Sequence, residues 1–203
     1  YSCSRLGARN IILDLQRRLN WGRPRGVRER QPLLAISSEP LVEPDEAVHL
    51  VVAEQLPAVF AASVDMFTNE VGFSPIEGGQ SSYMARVRSI IRGQNCFARI
   101  SDTLPQGGAV RRWPATTQAE QVLFKADIGI RAPRIVQVQG VWVHPDVRQQ
   151  GLGAAGMAAV VAQTRAAGHT TVSLYANDYN EVALRMYTRI GFEQVGTFAT
   201  VMY

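Results

Sequence analysis

The sequence predicts an α+β domain of mixed α/β character, a sheet interrupted by helices and built partly from consecutive hairpins. Three observations predict it. The pattern from His49 onward reads strand, two helices, a run of strands, helix, strand, helix, strand pair, which is not a regular βαβ alternation. Two strand-like runs, QVLFKADIGI and RIVQVQGVWV, lie only three residues apart. The chain has 203 residues and is 46% hydrophobic, enough to bury a full core.

The elements follow in order. RNIILDLQRRL at 9–19 places Ile12, Leu15 and Leu19 on one helical face, and Gly22 and Pro24 break the pattern. QPLLAI at 31–36 is a short strand, and SSEPLVEPDE at 37–46, with two prolines and four acids, reads as a linker. HLVVA at 49–53 is strand-like. Pro57 suits the first turn of a helix whose Phe60, Val64, Phe67 and Val71 recur at helical spacing. Ser81 or Ser82 is expected to cap a second helix carrying Val87 and Ile91. CFARI at 96–100 is a strand, and the segment 101–120 has the composition of a functional or disordered loop. An alanine-rich helix is expected to run to about Ala167, with Gly168 at its C′ position. TVSLYA at 171–176 is a strand, Asn180 can cap a helix that runs to Ile190, and Gly191 closes it. Val195-Gly196 divides the tail into two strand-like halves.

Composition excludes several classes. No apolar run approaches the length needed to span a bilayer, and no membrane partner is expected. Cys3 and Cys96 form neither a disulfide framework nor a metal-ligand spacing, so reduced thiols in the cytoplasm and no metal are expected. The charge is uneven: residues 1–30 carry eight arginines against Asp14 and Glu29, a net +6, and the rest of the chain is at −2. That basic segment has one tryptophan, Trp21, and lacks interleaved stacking aromatics, so it reads as a solvated face with no nucleic-acid partner. Beginning at Tyr1, the chain reads as a fragment or a processed form, and residues 1–40 as the last helix and strand of a preceding unit.

Residues 141–156, VWVHPDVRQQGLGAAG, contain a literal G-x-G-x-x-G at Gly151, Gly153 and Gly156. A dinucleotide fingerprint needs its first glycine at the strand end. Here seven residues, HPDVRQQ, separate Val143 from Gly151, and too little chain follows for further βαβ units. A nucleotide P-loop lacks its Lys-Ser/Thr. What remains is a strand, a polar loop with Arg148, and glycines opening a helix, where free N–H groups and the positive dipole end make an anion site.

A second stretch, NEVALRMYTRIGF at 180–192, sharpens this. V-x-V-x-P-x-x-R-x-x-G-x-G followed by N-x-x-A-x-x-x-Y-x-x-x-G-F resembles the GNAT (GCN5-related) N-acetyltransferases over about residues 48–203. QVQGVWVHPDVR, VSLYANDYN and VGTFATVMY also look like the actinobacterial type in which a GNAT-like domain of unknown function precedes the GNAT domain. On that likeness, residues 1–40 are the remnant of the preceding domain, 41–47 a linker and 48–203 the acetyltransferase domain.

The resemblance implies an acyl-CoA N-acyltransferase fold: a mixed twisted sheet flanked by helices, with two parallel strands splaying apart at the cofactor site. It implies acetyl-CoA as acetyl donor, with backbone of Val141 and Val143 pairing with the pantetheine arm. N–H groups around Gln149, Gly151, Leu152, Gly153 and Ala154 would hold the pyrophosphate, with Arg148 nearby. Gln150 replaces a commoner basic residue, so looser phosphate binding is expected. Gly156 is assigned to helix packing. Asn180 matches the position that hydrogen-bonds the pantetheine, and it also suits a plain N-cap. Tyr187 matches the general acid, and a backbone N–H at Trp142 or Val143 the oxyanion donor.

The general base is not evident. Where some relatives carry a strand glutamate, this chain has Gln137 and Gln139. Glu70, Asp127 and Glu77 are the substitutes, Glu70 being the first choice, and a water chain to solvent is an equal alternative. His144 reads as a loop residue, and Cys96 lacks a histidine partner. Phe67, Phe73 and Tyr83 are assigned to packing. The expected reaction is acetyl transfer to a small-molecule or protein amine by direct attack. The alternative is a non-catalytic acyl-CoA-binding or regulatory module.

Overall fold

The computed structural model describes residues 4–19, 22–77, 79–101 and 120–203. The expectations for Cys3, for Trp21 and for nearly all of the 101–120 segment fall outside the described residues. The elements are β1 (Ser4–Ala8), α1 (Arg9–Arg18), β2 (Gly26–Ile36), β3 (His49–Leu50), α2 (Leu56–Val71), α3 (Gln80–Arg92) and β4 (Cys96–Ser101). They continue with β5 (Gln121–Arg131), β6 (Ile135–Val143), α4 (Leu152–Ala166), β7 (Thr171–Tyr175), α5 (Glu181–Ile190) and β8 (Glu193–Met202).

All described strands join one sheet in the order β1-β8-β2-β7-β6-β5-β4-β3. Only β6 and β7 pair in parallel; the other neighbours are antiparallel. This is the predicted mixed α/β architecture, a mixed sheet with helices on both faces.

Side-chain alternation along β5 assigns the two faces. Phe124, Ala126 and Ile128 join the core beneath α4 and α5, with Val136, Val138, Met157 and Ile190. The β4–β5 ladder skips Leu123, with Arg99 paired to Phe124 and Ile100 to Val122. This bulge turns Val122 to the opposite face, where it packs with Trp142, Val59, Val87 and Ile91 beneath α2 and α3. α4 is buried on almost every side because its residues are small: Ala154, Gly156, Ala158 and Ala159 let the helix sit close to the sheet. An added Cβ at Gly156 would lie 2.7 Å from the Phe124 ring, so this glycine is set by packing.

Several local expectations are corrected. The buried face of α2 is Val59, Ala62 and Ser63, not the stripe of Phe60, Val64, Phe67 and Val71. Phe60 and Phe67 turn toward α3, each within 6 Å of the Tyr83 ring centroid, and Phe73 packs edge-on to Phe67. Helix-to-helix aromatic packing thus competes with the sheet for the large side chains. On α1 only Ile12 is buried, and Leu19 is exposed. α3 starts from Gly79, not from a serine cap. HLVVA yields only a two-residue strand before a short 3₁₀ turn at Ala53–Gln55. The tail is one strand, not two: Leu33 pairs with Gly196 and Leu34 with Gln194, so Val195 is skipped as a bulge.

The N-terminal strand β2 lies inside the sheet, and β1 forms one of its edges. β2 sits between β7 and β8, and buried Gln31 ties the three together, donating to Asn177 Oδ1 at 3.0 Å and accepting from Thr200 Oγ1 at 2.6 Å. Residues 41–47 are tied down as well. Leu41 N–H donates to Ile190 O, Asp45 N–H to Ala155 O, and Asp45 pairs with Arg99 at 2.7 Å.

Candidate functional site

The site begins where the sheet opens. β6 and β7 pair only at Ile135–Thr171, Val136–Val172 and Gln137–Ser173. β6 then runs six residues further, to Val143, with no ladder to β7. The backbone from Val138 to Val143 therefore borders a gap on its β7 side, between the only parallel pair of the sheet. Parallel strands side by side at such an opening are a recurrent place for ligands in α/β sheets.

The loop at the end of β6 brings a helix start to this gap. His144 Nδ1 accepts the Asp146 N–H at 3.3 Å and its ring packs on Trp142, which makes it a turn residue. Val147 is buried and anchors the loop. Arg148 Nε donates to Val143 O at 3.1 Å, which lays the guanidinium along the strand end. Gln149 and Gly151 both have positive φ, 62° and 82°, and they turn the chain into α4. Only Gly151 adopts this without steric cost. Leu152 and Gly153 open the helix, with no carbonyl one turn behind them to bond. The first turn carries no acid and Gly151 supplies no side-chain cap. Nothing lies within 4 Å of where a Gly151 Cβ would stand, whereas one at Gly153 would meet Met186 Sδ at 2.9 Å and Val143 Cγ2 at 3.2 Å. Gly151 thus faces open space, and Gly153 lets α4 approach both β6 and α5.

Tyr187 lies on α5, buried with its ring edge-on to Phe192. Burial, and secondarily the Glu70 carboxylate, push its phenol well above the ordinary tyrosine range. It holds its proton at neutral pH. Tyr175, at the end of β7, is pushed up by burial and by Glu70, against a smaller opposing effect of Arg28. Glu70, in the last turn of α2, is half-exposed and pairs with Arg28 of β2 at 3.4 Å. Glu70, Arg28, Tyr175 and Tyr187 therefore form one electrostatic neighbourhood drawn from four elements. Asn180 is the N-cap of α5, its Oδ1 accepting the Ala183 N–H at 3.3 Å.

The other candidates fall elsewhere. Gln137 is half-buried and Gln139 exposed, Glu77 is exposed and accepts the Ser74 N–H, and Cys96 is a buried free thiol pushed up by burial and by Asp127. Asp127 is buried and held by Lys125 Nζ at 2.7 Å. Burial draws the Lys125 ammonium down, but Asp127 together with Cys96 and Tyr83 outweighs this, and the lysine is held above its usual range.

Sequence reasoning missed Arg28, Asp65, Lys125 and Tyr175. Asp65 Oδ2 accepts the Trp142 indole N–H at 2.9 Å and fixes α2 to β6. Two of these had a signal. Lys125 interrupts an otherwise apolar strand two residues before Asp127, and Tyr175 stands at a strand end beside the splay. Arg28 had none, because nothing local marks a partner 42 residues away.

Residues 110–192 match the acetyltransferase (GNAT) family. Residues 2–59 match a domain of unknown function, DUF4081. No curated protein matches the chain. Among solved structures, a putative GNAT acetyltransferase from Novosphingobium aromaticivorans is 18% identical, covering 89% of this chain and 66% of its own, with a TM-score of 0.57. A GNAT acetyltransferase from Colwellia psychrerythraea is 11% identical over 100% of this chain and 65% of its own, with a TM-score of 0.63. The chain thus spans about two-thirds of the length of these two. AAC(6')-Iy, solved in complex with the bisubstrate analog CoA-S-monomethyl-acetylneamine, is 15% identical over 72% of this chain and 90% of its own, with a TM-score of 0.51. At such identities the likeness is one of fold, and the fold is the GNAT fold. No described helix is long and apolar enough to cross a membrane, and no cluster of three metal-ligating side chains occurs among the described residues.

Proposed function

We propose that the chain is an N-acetyltransferase that moves an acetyl group from acetyl-CoA to an amine by direct attack in a ternary complex. The observation that carries this reading is the uncapped start of α4 at the end of β6, beside the gap where β6 and β7 part.

The residues present fit the donor. The cradle is open at Gly151, has N–H groups without helical partners, and has Arg148 but no acid in the first helical turn. The Gln149–Ala154 backbone, with Gln150, would hold the pyrophosphate. Val141 and Val143 would hold the pantetheine as an added strand, and the Asn180 side-chain amide, whose oxygen caps α5, would hold it by its NH₂ group. When bound, acetyl-CoA supplies the activated acyl thioester. The chain's own part is electrostatic. A backbone N–H at Trp142 or Val143 donates to the oxygen that gains charge, Tyr187 gives its proton to the departing sulfur, and Glu70 takes the proton of the incoming amine.

The chain is further read as the actinobacterial type with a preceding GNAT-like domain, supported by the DUF4081 match at residues 2–59. Its buried free thiol fits a reducing compartment, and we place it in the cytoplasm. The acceptor is a small-molecule or protein amine. A second reading, a non-catalytic acyl-CoA-binding module, is favoured by Gln137 and Gln139, which leave β6 without a carboxylate on this stretch.

Release of free CoA thiol with a panel of amines separates the two. Release that requires an amine and drops at least about tenfold in Tyr187→Phe supports the enzyme. Binding of acetyl-CoA with no release by any amine supports the module. Binding of NADH without acetyl-CoA defeats both.

A further inference from the structure

Lys125 and Asp127 stand on the α2–α3 face of β5, in a strand otherwise apolar from Val122 to Ile128. Lys125 is fully buried and Asp127 is 6% exposed. Lys125 Nζ donates to Asp127 Oδ2 at 2.7 Å and to Gly140 O at 3.3 Å. The β5–β6 register breaks at this point: Lys125 pairs with Trp142 and Asp127 with Gln139, so Ala126 opposes both Gly140 and Val141. Gly140 has φ 60°, in the left-handed region. A Cβ there would lie 2.9 Å from Asp127 Oδ2, 3.4 Å from Met66 Cε and 3.5 Å from Lys125 Nζ. The bulge, the glycine and the ion pair therefore occupy one small space.

A buried ion pair is a poor source of stability, since an apolar pair of similar volume is often as stable. A regular strand carbonyl points along the sheet plane to its neighbour. The Gly140 carbonyl is instead taken from the α2–α3 face by an ammonium, and one oxygen of Asp127, Oδ1, has no hydrogen-bond partner. The pair is thus spent on backbone shape at the residue preceding Val141.

We infer that Lys125 and Asp127 are positioning residues of the acyl-transfer site: they clamp the Gly140 bulge and so fix the rotation at which the Val141–Val143 backbone faces the β6–β7 gap. This rests on the reading of that gap as the thioester site. The pair touches neither reactant. Its effect is on how well the strand backbone recognises an acyl group, as distinct from the phosphates, which bind at Gln149–Ala154.

The test is calorimetry with CoA and with acetyl-CoA on the wild type and on Lys125→Met/Asp127→Leu, which replaces both charges together. In the double variant the CoA Kd is expected to rise, because Val141 and Val143 also hold the pantetheine arm that CoA shares with acetyl-CoA. The ratio of the CoA to the acetyl-CoA Kd is expected to fall about fivefold, the effect of one hydrogen bond. kcat should fall at least as far, with the acceptor KM little changed. Asp127→Asn, which keeps the shape if the double variant does not fold, is expected to shift the ratio about twofold in the same direction. An unchanged ratio in a folded variant overturns the clamp and leaves the functional reading intact. A wild type that binds neither CoA nor acetyl-CoA overturns both.

Discussion

Arg28 grips Glu70 at two points, with Nη1 3.4 Å from the carboxylate Oε1 and Nη2 donating to the backbone carbonyl at 3.3 Å. A side chain from the N-terminal strand β2 thus fixes the end of α2, whose Glu70 carboxylate helps to raise the Tyr175 and Tyr187 phenols. The pair is half-exposed, so its worth to stability is below about 1 kcal/mol. If Glu70 takes the amine proton, Glu70→Gln lowers kcat by about a hundredfold at neutral pH with little change in melting temperature. The loss should shrink as pH rises and the amine deprotonates unaided. A pH–rate profile of both proteins checks this, and parallel profiles would remove Glu70 from the chemistry.

Alkaline pH should destabilise the fold. Burial first, then Asp127, raises the Cys96 thiol above its ordinary value of 9.0; burial first, then Glu70, raises the Tyr187 phenol above 10.0. Both groups are neutral when protonated. Below those ordinary values the folded and unfolded chains bind the same protons, and no stability is lost. Above them the unfolded chain releases protons that the folded chain keeps. Stability then falls by up to about 1.4 kcal/mol per pH unit for each group, until the folded group itself ionises. Denaturant melts from pH 8 to 11 should show the decline, and Cys96→Ala should flatten its onset near pH 9. An unaltered slope in that variant contradicts the assignment.

The three glycines of GLGAAG should respond differently to alanine. Gly156→Ala drives a methyl into the Phe124 ring and should cost about 1–3 kcal/mol, with CoA affinity unchanged in the folded fraction. Gly151→Ala has room for its methyl but must hold φ 82°, at about 1–2 kcal/mol. It should weaken CoA binding more than the other two. Gly153→Ala meets the flexible Met186 and the stiffer Val143, and falls between. Denaturation midpoints and CoA titrations of the three variants rank them.

A chain shortened to residues 41–203 should not fold. It lacks β2, so β7 and β8 lose their shared neighbour and two ladders of backbone groups are left bare. Aggregation or a spectrum without cooperative melting is expected. A monomeric, cooperatively melting 41–203 would show that β7 and β8 can close on each other.

Much of the architecture was legible from residues 48 to 192 because those elements are locally specified. Gly168 and Gly191 adopt the left-handed conformation their helix ends require, and Asn180 caps α5. The glycine loop was legible through motif spacing, and the parallel strands on either side of it only through the family resemblance that those motifs carry. What escaped was long-range. Nothing in GVRERQPLLAI states that its partners are Val172–Tyr175 and Glu193–Met202, and Val195 read as a break because a bulge and a strand end look alike locally. In the site, Tyr187 and the α4 start are motif-borne, whereas Arg28–Glu70, Asp65–Trp142 and Lys125–Gly140 are side-chain meetings across the sheet that no spacing encodes.

The central place of β2 also sets the order in which the molecule can form. Its ladders pair Ile36 with Val172 and Gly26 with Met202, strands that lie far apart along the chain. Loop closure over such separations is slow, and β2 leaves the ribosome long before either partner exists. The hairpin β5–β6 and the α4–β7 unit can assemble early, but β2 has a neighbour on neither edge until β7 and then β8 have been made. Refolding should therefore show a late phase in which Gln31 becomes buried, and mutations along β2 should slow that phase more than mutations along β5 do.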